Sequence, residues 1–342
     1  MKTKISGFLS AMTFIALMFY GCSKSVDLNT DGNLQLPDIM TPAGQHVYGL
    51  LPMTPDQYMN VPLYSRELLV SKLGLKAVTL DATWLTMWTP AVRDQLQIGS
   101  CTAFCGAETN EILYHYKPIP TDKVLSPAFI YYCERVLIQK QKITADNGAY
   151  MVNIPQALQA YGDCLEGSYP YPTSNKTVAY KTAPSTAAMT EAKTYKIPAN
   201  AGSSIYWGAI AATNTDAGVI AVKTLLSNNI PVMMGFNVDD NTAYTYFERL
   251  SKTNFTYNPL KADFITLATG VKVLGGHAVP IVGYDDAFTY TSAAGVTTTG
   301  AFKCQNSWGL AWGNSGFFYI PYSVFKSTKI VALNDVYFAK LI

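Results

Sequence analysis

Charge is what this sequence has least of. Only 14% of its 342 residues are Asp, Glu, Lys or Arg, against roughly a quarter in an ordinary soluble domain. The formal net charge is +2 and no run of Lys or Arg stands out. The basic stripe that a nucleic-acid partner requires is therefore missing. Histidine is scarcer still, with three in the whole chain. Apart from Cys101 and Cys105, no Cys or His pair stands at short ligand spacing, so neither a metal nor another cofactor is expected. No internal repeat is evident.

Long apolar runs are nearly absent too, and the one that exists is at the start. Lys2 and Lys4 precede Ile5–Tyr20 (ISGFLSAMTFIALMFY), and Gly21-Cys22 follows. The run is shorter than the ~20 residues of a spanning helix. A charged n-region, an apolar h-region and a small residue describe a secretory signal over residues 1–22. A Cys directly after a small residue resembles the cleavage box of bacterial lipoproteins. That likeness implies lipidation at Cys22, export, and anchoring to a bacterial outer membrane or cell surface. Phe19 and Tyr20 are bulkier than that box usually carries. The five remaining cysteines, Cys101, Cys105, Cys133, Cys164 and Cys304, form an odd set, so at least one thiol is expected to be free.

Residues 23–79 are polar and Pro-containing, and read as a tether and leader. No long amphipathic helix is visible in them. From Leu80 to Ile342 the signals sharpen into one domain. A helix with one buried face is expected over Cys101–Tyr116. A second opens at Ser126-Pro127, with Ser as cap and Pro in the first turn. A third covers Pro155–Tyr161. The second half alternates or runs apolar in IPVMMGFNV, HAVPIVGYDDAF, GAFKCQNSW and GFFYIPYSVF, which reads as strands. The fold class is therefore α+β: a helical lobe, then a β-rich lobe, with a cleft between them.

Three stretches carry chemistry. They are QLQIGSCTAF around Cys101, LGGHAVPIVGY around His277, and KCQNSWGLAWGNSGFF around Asn306. A Cys attacks well only as thiolate, a form that a helix start and an imidazolium both favour. A His can take the thiol proton and later protonate a leaving amine. An Asn oxygen would fix the ring tautomer without adding charge. The Gln95 side-chain amide and the Cys101 N–H are placed to stabilise an oxyanion.

Taken together, these blocks resemble the papain-like cysteine peptidases, of the kind found in bacterial lipoproteins. The order Cys…His…Asn matches, and NSWGLAWGNSG is the most specific block. The resemblance spans roughly Leu80–Ile342, with LSPAFIYYCER, NGAY at 147–150 and YPY at 169–171 also in order. It implies a two-lobed fold whose second lobe is β-barrel-like. It implies peptide-bond hydrolysis through a thioester, with peptide or protein as substrate. Cys101 would be the nucleophile, His277 the base and acid, Asn306 its orienter and Gln95 the oxyanion donor. Trp308 would cover the His–Asn pair. Asn147, Gly148 and Ala149 would line the substrate groove, with Gly276 contacting substrate and Trp308 also counted among the substrate-binding residues. The pattern departs at two neighbours of the site: Leu96 stands where Gly is usual, and Thr102 where a bulky aromatic is usual. Both are expected to crowd or reshape the catalytic shelf, which keeps open a catalytically weak surface binding protein on the same fold. Ile98 replaces a disulfide Cys, Cys133 lacks its usual partner, and Cys164 is a substitute for it. With no long helical pro-region in the leader, an inhibitory propeptide of the lysosomal kind is not expected.

Overall fold

The computed structural model describes residues 47–76, 84–173, 181–240, 247, 255–261, 263–264, 266–291 and 295–341. The proposed signal segment, Cys22 and the start of the tether lie outside the described residues. Contacts group residues 38–342 into one compact unit. The part of the leader from Val47 onward thus belongs to the body of the protein.

After an extended start at Val47–Leu51 come α1 (Pro55–Tyr58), β1 (Leu63–Tyr64), α2 (Arg66–Leu73) and β2 (Trp84–Thr86). The helical lobe follows, with α3 (Cys101–His115), α4 (Pro127–Tyr132), α5 (Asn153–Ala160) and α6 (Thr186–Glu191). The sheet lobe is built from β3 (Trp207–Ile210), α7 (Asp216–Leu226), β4 (Val232–Asp240), β5 (Lys272–Thr291), β6 (Thr297–Gln305), β7 (Phe317–Pro321), α8 (Tyr322–Phe325) and β8 (Val336–Ala339).

The cap expected at Ser126 is present: its Oγ accepts from the Phe129 N–H at 3.1 Å, and Pro127 fills the first turn. Two apolar clusters match the two lobes. One gathers Phe104, Ile130, Ile154 and Leu158 around α3. The other gathers Phe236, Ile281, Phe302 and Phe318 on the sheet.

Helix α3 differs from expectation. It is buried from Cys101 to Tyr114 on every side, not along one stripe. Its polar face packs inward, where Glu111 pairs with Arg93 at 3.1 Å and Asn110 donates to the Tyr195 carbonyl at 2.8 Å. Buried polar groups with partners substitute for the solvent that the polar positions implied.

The sheet runs β1-β3-β8-β4-β5-β6-β7, with β2 added on β5. It is an open sheet and not the barrel-like closure the family resemblance implied. Its edge strands β1 and β7 do not pair, and they are 2 and 5 residues long. Closure needs a full-length, staggered edge pairing, which these short strands do not offer. All five described cysteines, Cys101, Cys105, Cys133, Cys164 and Cys304, are buried thiols. Cys133 and Cys164, the substitute pair, are not joined.

Candidate active site

Cys101 is the first residue of α3, so its backbone N–H has no partner within the helix. The tight Gly99-Ser100 turn delivers the sulfur to the top of the helical lobe. On the other lobe, β4 and β5 run antiparallel with Phe236 opposite His277. Strand β6 ends at Gln305, leaving Asn306 just past the ladder beside His277. The backbone amides of Gly49, Ala278 and Thr102 approach the Cys101 sulfur. Ala278 directly follows His277, so the two lobes meet at the thiol.

His277 Nε2 donates to Asn306 Oδ1 at 2.7 Å, and the Ser307 N–H donates to the same oxygen at 2.9 Å. The oxygen therefore has both lone pairs used, which fixes the amide and the ring. Trp308 is buried with its ring centroid 5.1 Å from that of His277. It shields the pair from water as expected, and offers little surface to a ligand. Sequence reading missed Phe247, whose ring lies 5.5 Å from His277 and 5.0 Å from Trp308. No motif marks Phe247 in its stretch of sequence.

Gln95 is fully buried and tightly oriented. Its Oε1 accepts from Ser307 Oγ at 2.7 Å and from Trp308 Nε1 at 3.2 Å. Its Nε2 donates to the Ile98 carbonyl and to the Val47 carbonyl, both at 2.9 Å. The donor assigned to an oxyanion therefore already holds a carbonyl oxygen, supplied by the leader.

The leader covers the rest of the site as well. Leu50 bridges Ala149 in parallel and Gly276 in antiparallel register. Its N–H donates to the Gly276 carbonyl at 3.1 Å, the Leu51 N–H to Ala149 at 2.9 Å, and the Ala149 N–H to Gly49 at 2.9 Å. Gly148, Ala149 and Gly276 thus lie against the extended backbone of the leader, with Asn147 half-buried alongside. Gly49 passes through a slot that admits no side chain: a Cβ on it would lie 1.9 Å from the Gly99 carbonyl oxygen. Gly148, at φ +74, would bring a Cβ to 2.0 Å from the Gly49 oxygen. A leader without helical pro-region character fills the cleft by strand pairing instead. Cleft filling by this segment was not legible, because a five-residue stretch carries no periodic signal.

Burial governs the thiol. Cys101 is fully buried, and desolvation pushes its pKa up to about 12, against which the Gly49, Ala278 and Thr102 amides work. The lowered thiol expected at a helix start is therefore not the condition of the covered site. Leu96 takes φ +54, a left-handed backbone conformation that suits glycine and costs about 1 kcal/mol of strain in a leucine. Thr102 turns away into the helical lobe, where its hydroxyl donates to Glu134 Oε2 at 2.8 Å. Burial raises Glu134 to about 8.

Comparison with known proteins agrees with this geometry. An "Uncharacterized peptidase C1-like protein L477" of Acanthamoeba polyphaga mimivirus is 27% identical over 238 residues, which cover 67% of this chain. The match spans 63% of that relative, less than two thirds of its length. Xylellain, a cysteine protease from Xylella fastidiosa, superposes with a TM-score of 0.64 at 23% identity, covering 86% of this chain and 96% of that one. The cysteine protease and lectin-like domains of Cwp84, a surface layer associated protein of Clostridium difficile, give 0.50 at 20% identity, covering 79% and 50%. These likenesses concern the fold. The family model for papain family cysteine proteases matches residues 79–335, and the chain belongs to that family.

Proposed function

We propose that this chain is an exported cysteine peptidase that cleaves peptide bonds with Cys101, His277, Asn306 and Gln95, and that its leader keeps the site covered. The Nε2–Asn306 bond at 2.7 Å carries the reading. It commits one ring nitrogen to orientation and leaves Nδ1 for proton transfer with the thiol. His277 takes the Cys101 proton while the sulfur attacks the substrate carbonyl carbon. The oxyanion accepts from Gln95 Nε2, in the place now taken by the Val47 oxygen, and from the Cys101 N–H. As the C–N bond breaks, His277 gives the proton to the leaving amine, and a thioester remains. Water then attacks the thioester, His277 accepting its proton. The carboxylic acid leaves and His277 returns the proton to sulfur.

The leader is held in an unproductive register. The carbonyl on Gln95 belongs to the Val47–Tyr48 peptide, whereas the sulfur meets the amide of the next peptide unit, at Gly49. Turnover therefore requires the leader to move. If it never moves, the alternative follows: a catalytically silent surface binding protein with the same fold. Fluorogenic peptide libraries given to the full chain and to its Gly49→Ala variant distinguish the two. Cleavage that increases in the variant and vanishes with Cys101→Ala supports the peptidase. No cleavage by any form supports the silent protein.

Export and anchoring rest on Lys2, Lys4, the Ile5–Tyr20 run and Gly21-Cys22. Lipidation at Cys22 would hold the enzyme at a bacterial outer membrane or cell surface, with the segment up to Val47 as spacer. Globomycin-sensitive processing and labelling with a radioactive fatty acid, both lost in Cys22→Ala, test this. Labelling retained in that variant refutes it.

A further inference from the structure

Away from the cleft, the two lobes enclose a separate cavity of about 630 Å³, within the size range of pockets that hold small ligands. It adjoins Leu113 and Tyr114 on the last turn of α3, so roughly 18 Å of helix stands between it and Cys101. Leu73, at the end of α2, and Ile230, between α7 and β4, belong to the apolar cluster of the sheet, and Leu113 to that of the helices. Leu341, after β8, adds to the aliphatic wall. Ile119 also lines the cavity while 81% exposed. It keeps apolar surface in water that a guest would cover.

The charge in this wall has one sign. Lys117, Lys196 and Lys340 line the cavity, and no Asp or Glu does. Among the described residues, none of the three pairs with a carboxylate. Lys340 Nζ donates to the Leu73 carbonyl at 3.3 Å and Lys196 Nζ to the Ala160 carbonyl at 3.0 Å. Lys117 Nζ sits 4.7 Å from the centre of the Tyr114 ring. An ammonium carries three donors, so each lysine retains capacity for an anion. Burial lowers the Lys340 pKa, the mark of a cation short of solvation. Three like charges around one space repel, and a single anion among them turns that repulsion into attraction.

We propose that this cavity is a binding site for an aliphatic carboxylate of the fatty-acid class. Its head group lies among Lys117, Lys196 and Lys340, and its chain against Leu73, Leu113 and Ile230. A bare inorganic anion would use the lysines and leave the aliphatic wall wet. An uncharged lipid would do the reverse. A peptide end would bring N–H groups that need acceptors, and the Asn228 amide is already committed to the Lys76 and Thr224 backbone. The site does not depend on the chemistry of Cys101.

Two measurements on the full chain test this, and neither needs catalysis. The first is calorimetric titration with sodium decanoate near neutral pH, where one saturable site is expected. Acetate, a head without a tail, and 1-decanol, a tail without a head, are each expected to bind at least about tenfold more weakly. Lys340→Met is expected to weaken decanoate at least about tenfold. Equal binding of decanol and decanoate, or no change in Lys340→Met, overturns the proposal. Tighter binding of acetyl-Ala-Leu than of decanoate also overturns it, because the occupant is then a peptide end. The second measurement needs no variant. Lysines are acetylated with limiting acetic anhydride and read by peptide mass spectrometry. In decanoate at about ten times its Kd, modification of Lys117, Lys196 and Lys340 is expected to slow at least about fivefold. The exposed Lys261 is expected to be unaffected. Unchanged rates at the three lysines overturn the proposal, even where Lys340→Met fails to fold.

Discussion

At the scale of single residues, His277 and Gln95 owe their readiness to neighbours that hold them. Asn306 Oδ1 accepts from both His277 Nε2 and the Ser307 N–H, so the ring has one orientation. Asn306→Ala frees it, and kcat/KM is expected to fall about a hundredfold with KM little changed. Under the proposed mechanism Gln95→Ala removes an oxyanion donor and is expected to cost about a hundred- to a thousandfold in kcat. Both are measured by steady-state kinetics with one peptide. The residues that the structure gathers at the candidate site were legible, because Cys101, His277, Asn306 and Gln95 each stood in a block with its own spacing. Their supports were less so. Ser307 and Trp308 reach Gln95 across the cleft from another segment, a relation that linear spacing does not express. Leu96 and Thr102 show a related limit of linear reading. Residue identity shows that a pattern is broken, while the structure shows what replaces it: a left-handed backbone at Leu96 and a Thr102 hydroxyl turned to Glu134.

At the scale of elements, what matters is how segments brought together close the site. The single described residue Phe247 packs against His277, Trp308, Trp312, Phe236 and Phe318. Its ring is almost fully buried, so Phe247→Ala is expected to destabilise by about 3–5 kcal/mol in chemical denaturation. It should also loosen the aromatic cover of the His–Asn pair. The helices α3, α4 and α5 were foreseen from capping signals and apolar spacing, to within a few residues. What failed was the number of faces that α3 buries. Its Glu108, Thr109, Asn110 and Glu111 read as solvent-facing, yet the helix lies between the sheet and the other helices. Periodicity reports hydrophobic positions and is blind to polar residues buried with partners, as Asn110 and Glu111 are.

At the scale of the whole molecule, two lobes meet at a thiol and a leader closes the join. The α+β class and the lobe order were legible from the switch in pattern along the chain. The open sheet was not, since strand pairing at the edges is a long-range outcome. Buried acids give the whole protein a pH signature. Burial raises Glu111 to about 7, Glu134 to about 8 and Asp335 to about 7, from ordinary values near 4. The folded state therefore binds more protons than the unfolded one between those limits. Their contribution is fully present below about pH 4 and is lost as pH rises through 7 to 8. Tm is expected to fall between pH 5 and pH 8.5, and Glu134→Gln to flatten part of that fall. The central claim is that Cys101 is a triad nucleophile held silent by the leader. The most direct test is the rate of Cys101 alkylation by iodoacetamide against pH, read by peptide mass spectrometry. Intact protein is predicted to react slowly until strongly alkaline pH. Gly49→Ala is predicted to react at least tenfold faster at pH 7, and His277→Ala in that background to lose the gain. Equal rates in all three forms would contradict the account.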